Sequence, residues 1–163
     1  MSDLPLTQEV AALLLDRGLM LATAESCTGG LIAGACTDLA GSSLWFDRGF
    51  VTYSNAAKHD MLGVASELIE RHGAVSEPVA RAMASGALQR SAAQVSLAVT
   101  GVAGPGGGSA DKPVGTVWFA WATGDQLRSE RRQFEGDRAA VRAATVEHAL
   151  RGVLALVGPA SSH

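Results

Sequence analysis

The chain has 163 residues, 47% of them hydrophobic and 18% charged, which is enough apolar material for a buried core and too much for a disordered chain. Its 13 Lys and Arg against 16 Asp and Glu leave a net charge of −3 with no basic run, and this excludes broad binding to nucleic acid or to anionic membranes. No apolar stretch reaches the ~18 residues of a membrane span, "MSDLPLTQEV" lacks a basic-then-apolar signal pattern, and Cys27 and Cys36 make neither a disulfide framework nor a four-ligand zinc site.

These limits set the expectation of one cytoplasmic domain over residues 1–163, with 1–5 and 158–163 as frayed ends. Leu6 to Arg17 reads as an amphipathic helix, with Val10, Leu13 and Leu14 on its stripe and a stop at Asp16 to Gly18. "LMLATAE" (19–25) is a short buried strand. Helical spacing returns from Gly29 to Leu39 and ends at "AGSS". "FDRGFVTYS" (46–54) alternates as a strand, and Asn55 is placed to cap a helix carrying Ala56 to Leu62. His72 closes a helix before a glycine. Glu77 to Ala93 is the clearest middle helix, with Val79, Ala82, Met83, Gly86 and Ala87 on one face.

"AQVSLAVTG" (93–101) is the next strand, and "VAGPGGGSADKP" (102–113) is too rich in glycine for regular structure. "VGTVWFAWAT" (114–123) is a strand of β-branched and aromatic residues. "LRSERRQFEG" (127–136) is its hairpin partner, turned at Gly124 and Asp125. Asp137 caps a final helix running to about Val157. Helices mixed with both kinds of strand connection predict an α/β fold, a three-layer α/β/α sandwich with a mixed sheet.

Two glycine-rich turns carry the candidate chemistry. Ser26 ends a buried strand just before Gly29 and Gly30 open a helix, where unpaired N–H groups and the helix dipole favour an oxyanion, a phosphate or an alkoxide. Strand, nucleophile, helix is the order used by serine hydrolases, although "AESCT" is not a strict G-x-S-x-G elbow. A tight turn capped by Ser and Thr reads equally well. Cys27 is a rival nucleophile, because a helix N-terminus lowers a thiol's pKa; a buried inert thiol is the other reading. The second turn holds Gly101, Gly104, Gly106, Gly107 and Gly108, with Lys112 at its far end. It matches neither nucleotide-binding glycine motif. It suits an anion cradle and equally a hairpin connection.

A serine nucleophile needs a base. His72, His148 and His163 lie away from the turn, and His59 supports a Ser-His-Asp triad only weakly. "VTYSNAAKHDMLG" offers Tyr53 at a strand end and Lys58 in the first turn of a helix. Burial and the positive end of that helix both disfavour the ammonium form, and Tyr53 is placed to orient the lysine, relay a proton or bind substrate. A surface lysine beside a half-buried tyrosine fits the same spacing. Arg138 and Arg142 share a face near the start of the last helix, where cations need an anion such as Asp137 or a phosphate; a solvated pair is the alternative.

"TAESCTGGLIAGACTDLAGSS", "FDRGFVTYSNAAKHDMLGV", "HGAVSEPVARAMASGA", "TGVAGPGGGSADKPVGTVWFA" and "FEGDRAAVRAA" together resemble the C-terminal domain of the CinA (competence/damage-inducible) proteins, from about Leu6 to Leu156. The resemblance implies hydrolysis of the carboxamide of nicotinamide mononucleotide to nicotinate mononucleotide and ammonia, in pyridine-nucleotide (NAD) recycling. It implies a serine nucleophile assisted by lysine and tyrosine, carried here as Ser26, Lys58 and Tyr53, with no metal or organic cofactor. N–H groups from Cys27, Thr28, Gly29 and Gly30 would then hold the oxyanion. Thr100, Gly101, Gly104 and Gly107 would bound the nucleotide, and Arg138 or Arg142 would meet its phosphate. The N-terminal pyrophosphatase-linked domain of longer relatives is expected to be absent, and a homodimer is expected. The rival readings are an inactive nucleotide-binding or interaction module and an amidase that uses Cys27.

Overall fold

The computed structural model describes residues 4–158; the fraying expected at 1–3 and 159–163, and His163 with it, lies outside them. Strands β1 (Leu21–Glu25), β2 (Phe46–Val51), β3 (Val95–Gly101), β4 (Thr116–Ala122) and β5 (Leu127–Gln133) form one sheet in the order β2-β1-β3-β4-β5. β1 runs parallel to β2 and β3, with Glu25 opposite Val51 and Val99. β3, β4 and β5 are antiparallel neighbours. Helices α1 (Leu6–Arg17), α2 (Leu31–Thr37) and α6 (Arg138–Val157) cover one face; α3 (Asn55–Leu62), α4 (Ser66–His72) and α5 (Glu77–Gln89) cover the other. The fold is the mixed three-layer sandwich that the pattern predicts.

Strand alternation makes the two faces unequal. Val95, Leu97 and Val99 of β3 join Val117, Phe119 and Trp121 of β4 in a bulky core beneath α1 and α6. Ala98, Ala120 and Ala122 face α5 instead. Small side chains there let α5 settle close to the sheet, where Ser96 Oγ donates to the Ala84 carbonyl at 2.7 Å. Gly86 of α5 has no room for a Cβ against the Leu62 carbonyl.

Element ends depart from the sequence reading for local reasons. α2 starts at Leu31, not Gly29, because Gly29 and Gly30 adopt φ of +56° and +107°, outside the right-handed helical region. Ser54, not Asn55, caps α3, its Oγ accepting from Ala57 N–H at 3.0 Å. α5 stops at Gln89 rather than Ala93, since the Ala92 and Ala93 N–H groups turn to Asp47 Oδ2 and Ser91 Oγ. Asp137 caps α6 as expected, accepting from Ala140 N–H at 2.9 Å.

The parallel part of the sheet decides where chemistry can sit. β1, β2 and β3 all point the same way, so their C-terminal ends bring Ser26, Thr52, Tyr53, Thr100 and Gly101 to one edge. Ligand sites of open α/β sheets form at that end.

Candidate active site

Ser26 follows β1 directly, its N–H donating to the Val99 carbonyl of β3 at 3.1 Å. β2 ends one strand away, and the chain turns through Thr52 and Tyr53 into α3. Capping by Ser54 starts that helix where its fourth residue, Lys58, points back under the sheet edge. Lys58 is 1% exposed. Its Nζ lies 2.9 Å from Ser26 Oγ, 2.9 Å from the Thr52 carbonyl and 3.2 Å from the Tyr53 carbonyl. Burial lowers its pKa from 10.5 to about 8.

That geometry suits a base when the amine is neutral. A neutral amine has two N–H donors and one lone pair. When the amine is neutral, two main-chain carbonyls can take its two donors and leave the lone pair toward the Ser26 hydroxyl. The pair predicted as nucleophile and base is therefore in hydrogen-bond contact.

Tyr53 lies at the cleft beside Lys58. It meets Lys58 through its carbonyl, while its phenol oxygen accepts from Arg138 Nη2 at 3.2 Å and the residue is 60% exposed. Arg138 also donates Nη1 to the Gly104 carbonyl at 2.9 Å. Together they form the rim of a cleft of about 230 Å³ that reaches Ser26, Cys27 and Lys58 and is walled by Thr100, Gly101, Ala103, Ala74 and Val75.

The nucleophile turn is built around Glu25, a residue the sequence reading passed over. Its buried carboxyl accepts from Thr28 Oγ1 at 2.5 Å, Ile32 N–H at 2.9 Å and Ala33 N–H at 2.9 Å, with Gly30 N–H at 3.3 Å. The N-terminus of α2 is thus capped from inside the protein. Gly29 N–H donates to the Ser26 carbonyl at 3.1 Å. The expected oxyanion cradle therefore narrows: Gly29 and Gly30 have their amides engaged, and Thr28 has its side chain turned inward. The Cys27 amide meets only its own thiol, and the Thr28 amide has no acceptor among the described residues, but Thr28 is fully buried and does not line the cleft. An acidic residue closing an apolar strand ahead of a helix start was the signal for Glu25.

The glycine-rich loop contributes unevenly. Thr100 Oγ1 donates to the Ala74 carbonyl at 2.9 Å, tying the α4–α5 loop to the cleft wall. A Cβ on Gly101 would stand 2.7 Å from Val117 Cγ2 and 3.2 Å from Cys27 Sγ, so only glycine fits behind the turn. Gly104 serves Arg138 through its carbonyl, whereas Gly107 stands further out and does not line the cleft. Lys112 donates to the His72 carbonyl at 2.7 Å, away from Ser26. Arg142 does not line the cleft; it grips the Cys27 and Thr28 carbonyls at 3.1 and 3.2 Å. Those two carbonyls take donors of this cation near the start of α6.

The other candidates do not fit the nucleophile's or the base's part. His59 Nδ1 is hydrogen-bonded to the Val64 carbonyl, and His148 pairs with Glu130 beside Phe119 and Trp121. Cys27 is 5% exposed and burial pushes its thiol up to about 11, so at neutral pH it lacks the thiolate that a nucleophile needs. Cys27→Ala is accordingly expected to keep turnover within about threefold of wild type, and iodoacetamide to leave the rate unchanged; loss of activity in both assays would return the nucleophile's role to the thiol. Among the described residues no group of three His, Cys, Asp or Glu side chains is placed to hold a metal, and no helix is long and apolar enough to cross a membrane.

Comparison with known proteins adds to this geometry. The family model described as the CinA C-terminal domain matches residues 3–157. A protein named nicotinamide-nucleotide amidohydrolase PncC from Enterobacter agglomerans is 58% identical over 138 residues, 84% of each chain. A protein of the same name from Escherichia coli K12 is 54% identical over 147 residues, 90% of this chain and 89% of that one. A crystal structure of a competence/damage inducible protein from Agrobacterium tumefaciens superposes with a TM-score of 0.88 at 50% identity, covering 97% of this chain and all of the other.

Proposed function

Because the chain belongs to the CinA C-terminal domain family, we propose that it is an amidohydrolase converting nicotinamide mononucleotide to nicotinate mononucleotide and ammonia, with Ser26 as nucleophile and Lys58 as its base. The reaction serves pyridine-nucleotide recycling. The relatives' names support the substrate. The observation that carries the mechanism is the buried Lys58 Nζ, 2.9 Å from Ser26 Oγ and otherwise held by two carbonyls.

Neutral Lys58 takes the proton of Ser26 as Oγ bonds to the carboxamide carbon. The carbonyl π electrons move to oxygen, where the Cys27 amide at the cleft meets the charge. Collapse breaks the C–N bond, and the proton on Nζ passes to the departing nitrogen to give ammonia. A nicotinyl ester remains on Oγ. Water then attacks it, giving its proton to Nζ; collapse breaks the C–Oγ bond, the proton returns to Oγ, and the acid leaves. Arg138 at the rim meets the phosphate, and Tyr53 carries Arg138.

The test is ammonia release and appearance of nicotinate mononucleotide from the pure protein with the mononucleotide. Turnover supports the reading; calorimetric binding without turnover would instead favour a nucleotide-binding module. Tyr53→Phe keeps the carbonyl that holds Lys58 and loses the phenol that holds Arg138. We expect KM to rise about fivefold with kcat within about threefold. A fall in kcat of about 100-fold or more would put the phenol in the proton path.

A further inference from the structure

We propose that the groove between β5 and α6 is a second ligand site, separate from the cleft at Ser26, and that Arg128, Arg132 and Arg151 bind a phosphate group there.

The sheet register builds this groove. Arg128, Glu130 and Arg132 of β5 stand opposite Trp121, Phe119 and Val117 of β4, so their side chains leave the sheet on the face that carries α6. α6 lies over β3 and β4, and the β5 side of that face stays open beside it. His148, Arg151, Gly152 and Ala155 line the groove from α6, spaced as one helical stripe, and Trp121 forms its floor. Gly152 lets the helix come down on the indole, since a Cβ there would overlap the ring. Trp121 Nε1 holds that contact by donating to the Ala149 carbonyl at 2.9 Å. The groove has a volume of about 350 Å³ and shares no lining residue with the cleft at Ser26.

Its charge is unbalanced. Glu130 supplies the one carboxylate among the lining residues, and its Oε1 is already taken by Arg132 Nε and His148 Nε2, both at 2.6 Å. Arg151 Nη2 reaches Glu147 Oε1 at 3.1 Å, an exposed pair that water and salt screen, and Glu147 does not line the groove. Arg128 is in no ion pair among the described residues; its Nη2 donates to Gln126 Oε1 at 3.4 Å. Three guanidiniums thus meet one carboxylate, and their mutual repulsion is relieved by an added anion. Charges on an edge strand also guard it against pairing with another chain, but a guard has no need to converge. Arg131, on the opposite face of β5, turns instead to the Asp111 carbonyl at 2.9 Å.

The class of anion follows from the donors. Each guanidinium is a planar fork that matches two acceptors at once. A carboxylate has two oxygens to share among three forks. A terminal phosphate has three, with nearly two negative charges, and so suits both the number of arginines and the surplus of positive charge.

The experiment is calorimetric titration of the full chain with adenosine monophosphate, inorganic phosphate and adenosine, near pH 7 in about 20 mM NaCl. The monophosphate is expected to bind with a Kd at or below about 1 mM, and adenosine not to bind. Raising NaCl to about 200 mM should weaken the binding about tenfold. Arg128→Gln/Arg151→Gln should weaken it about 30-fold or more; both side chains are exposed, so the melting temperature should hold. Arg138→Met removes the cation at the rim of the catalytic cleft and should still bind the monophosphate as wild type does. Inorganic phosphate binding as tightly as the monophosphate supports a site for the free ion, and a monophosphate that binds about tenfold better supports a site for an ester.

No binding of either phosphate up to about 10 mM would overturn the proposal. So would adenosine binding as well as its monophosphate, affinity within about threefold of wild type in Arg128→Gln/Arg151→Gln, or binding abolished by Arg138→Met. The double variant should release ammonia from nicotinamide mononucleotide as wild type does, and a loss beyond about tenfold would place these arginines in the catalytic cleft and also overturn it. The titrations need no turnover, so failure of the amide reading leaves this test intact.

Discussion

Ser26→Ala is expected to lower kcat for ammonia release by about four orders of magnitude while leaving KM for the mononucleotide within about threefold. The hydroxyl is the only part of Ser26 that changes, and it adjoins Lys58 Nζ and, at 3.5 Å, the Tyr53 carbonyl. Nothing in the fold depends on it, so the melting temperature should move little. Ser26 and Lys58 act as a unit: the amine has no role in attack without the hydroxyl, and the hydroxyl stays protonated without the amine. The double variant Ser26→Ala/Lys58→Met should therefore be no slower than Ser26→Ala within about threefold, a failure of additivity that marks a shared step. Ser26→Ala retaining more than about 1% of the wild-type rate would remove Oγ from the nucleophile's role.

The fold was legible where hydrophobic period and turn chemistry agreed. Asp137, with a helix pattern behind it, located the start of α6, and the alternation of Val117, Phe119 and Trp121 located the core face of β4. Ends were less legible because competing side chains decide them. Asp47 takes the Ala92 amide across the fold, and no local signal in α5 announces a carboxylate more than 40 residues away. The same division holds in the site. Ser26 and Lys58 stood out by residue type, their pairing came from the family resemblance, and the fold joins them because each follows a parallel strand.

Contacts made by backbone atoms were not legible. Tyr53 meets Lys58 by its carbonyl and Arg138 by its phenol, and Arg142 meets two carbonyls of the turn. Composition ranks side chains by their chemistry and says nothing about which main-chain oxygens they meet. Ala74 and Val75, which wall the cleft, carry no chemical signal; only the Thr100 contact places them.

Lys58 links activity, stability and pH in a way that tests the mechanism from two sides. Its folded pKa is about 8, below the ordinary 10.5, because burial disfavours the ammonium. A base must be neutral to act, so kcat/KM should rise about tenfold per unit up to pH ~8 and level off above it, with about a tenth of the amines neutral at pH 7. Lys58→Arg keeps a cation that does not titrate in this range, and is expected to fall by about three orders of magnitude with no rise in rate toward pH 9.

Stability runs in the matching direction. Between about pH 8 and 10.5 the unfolded chain binds more protons at this position than the folded chain, so the folded state gains as pH rises. Below that window both states are protonated and the full cost of burying the ammonium remains, about 3 kcal/mol at 1.36 kcal/mol per unit. Lys58→Met has no such group. The wild-type minus Lys58→Met difference in unfolding free energy, followed by urea denaturation, should therefore be flat below pH ~7 and climb by about 3 kcal/mol toward pH 10.5. A difference that stays level across that range would mean the amine titrates as it does in water, with only about one in several thousand neutral at pH 7, too few to serve as the base for Ser26.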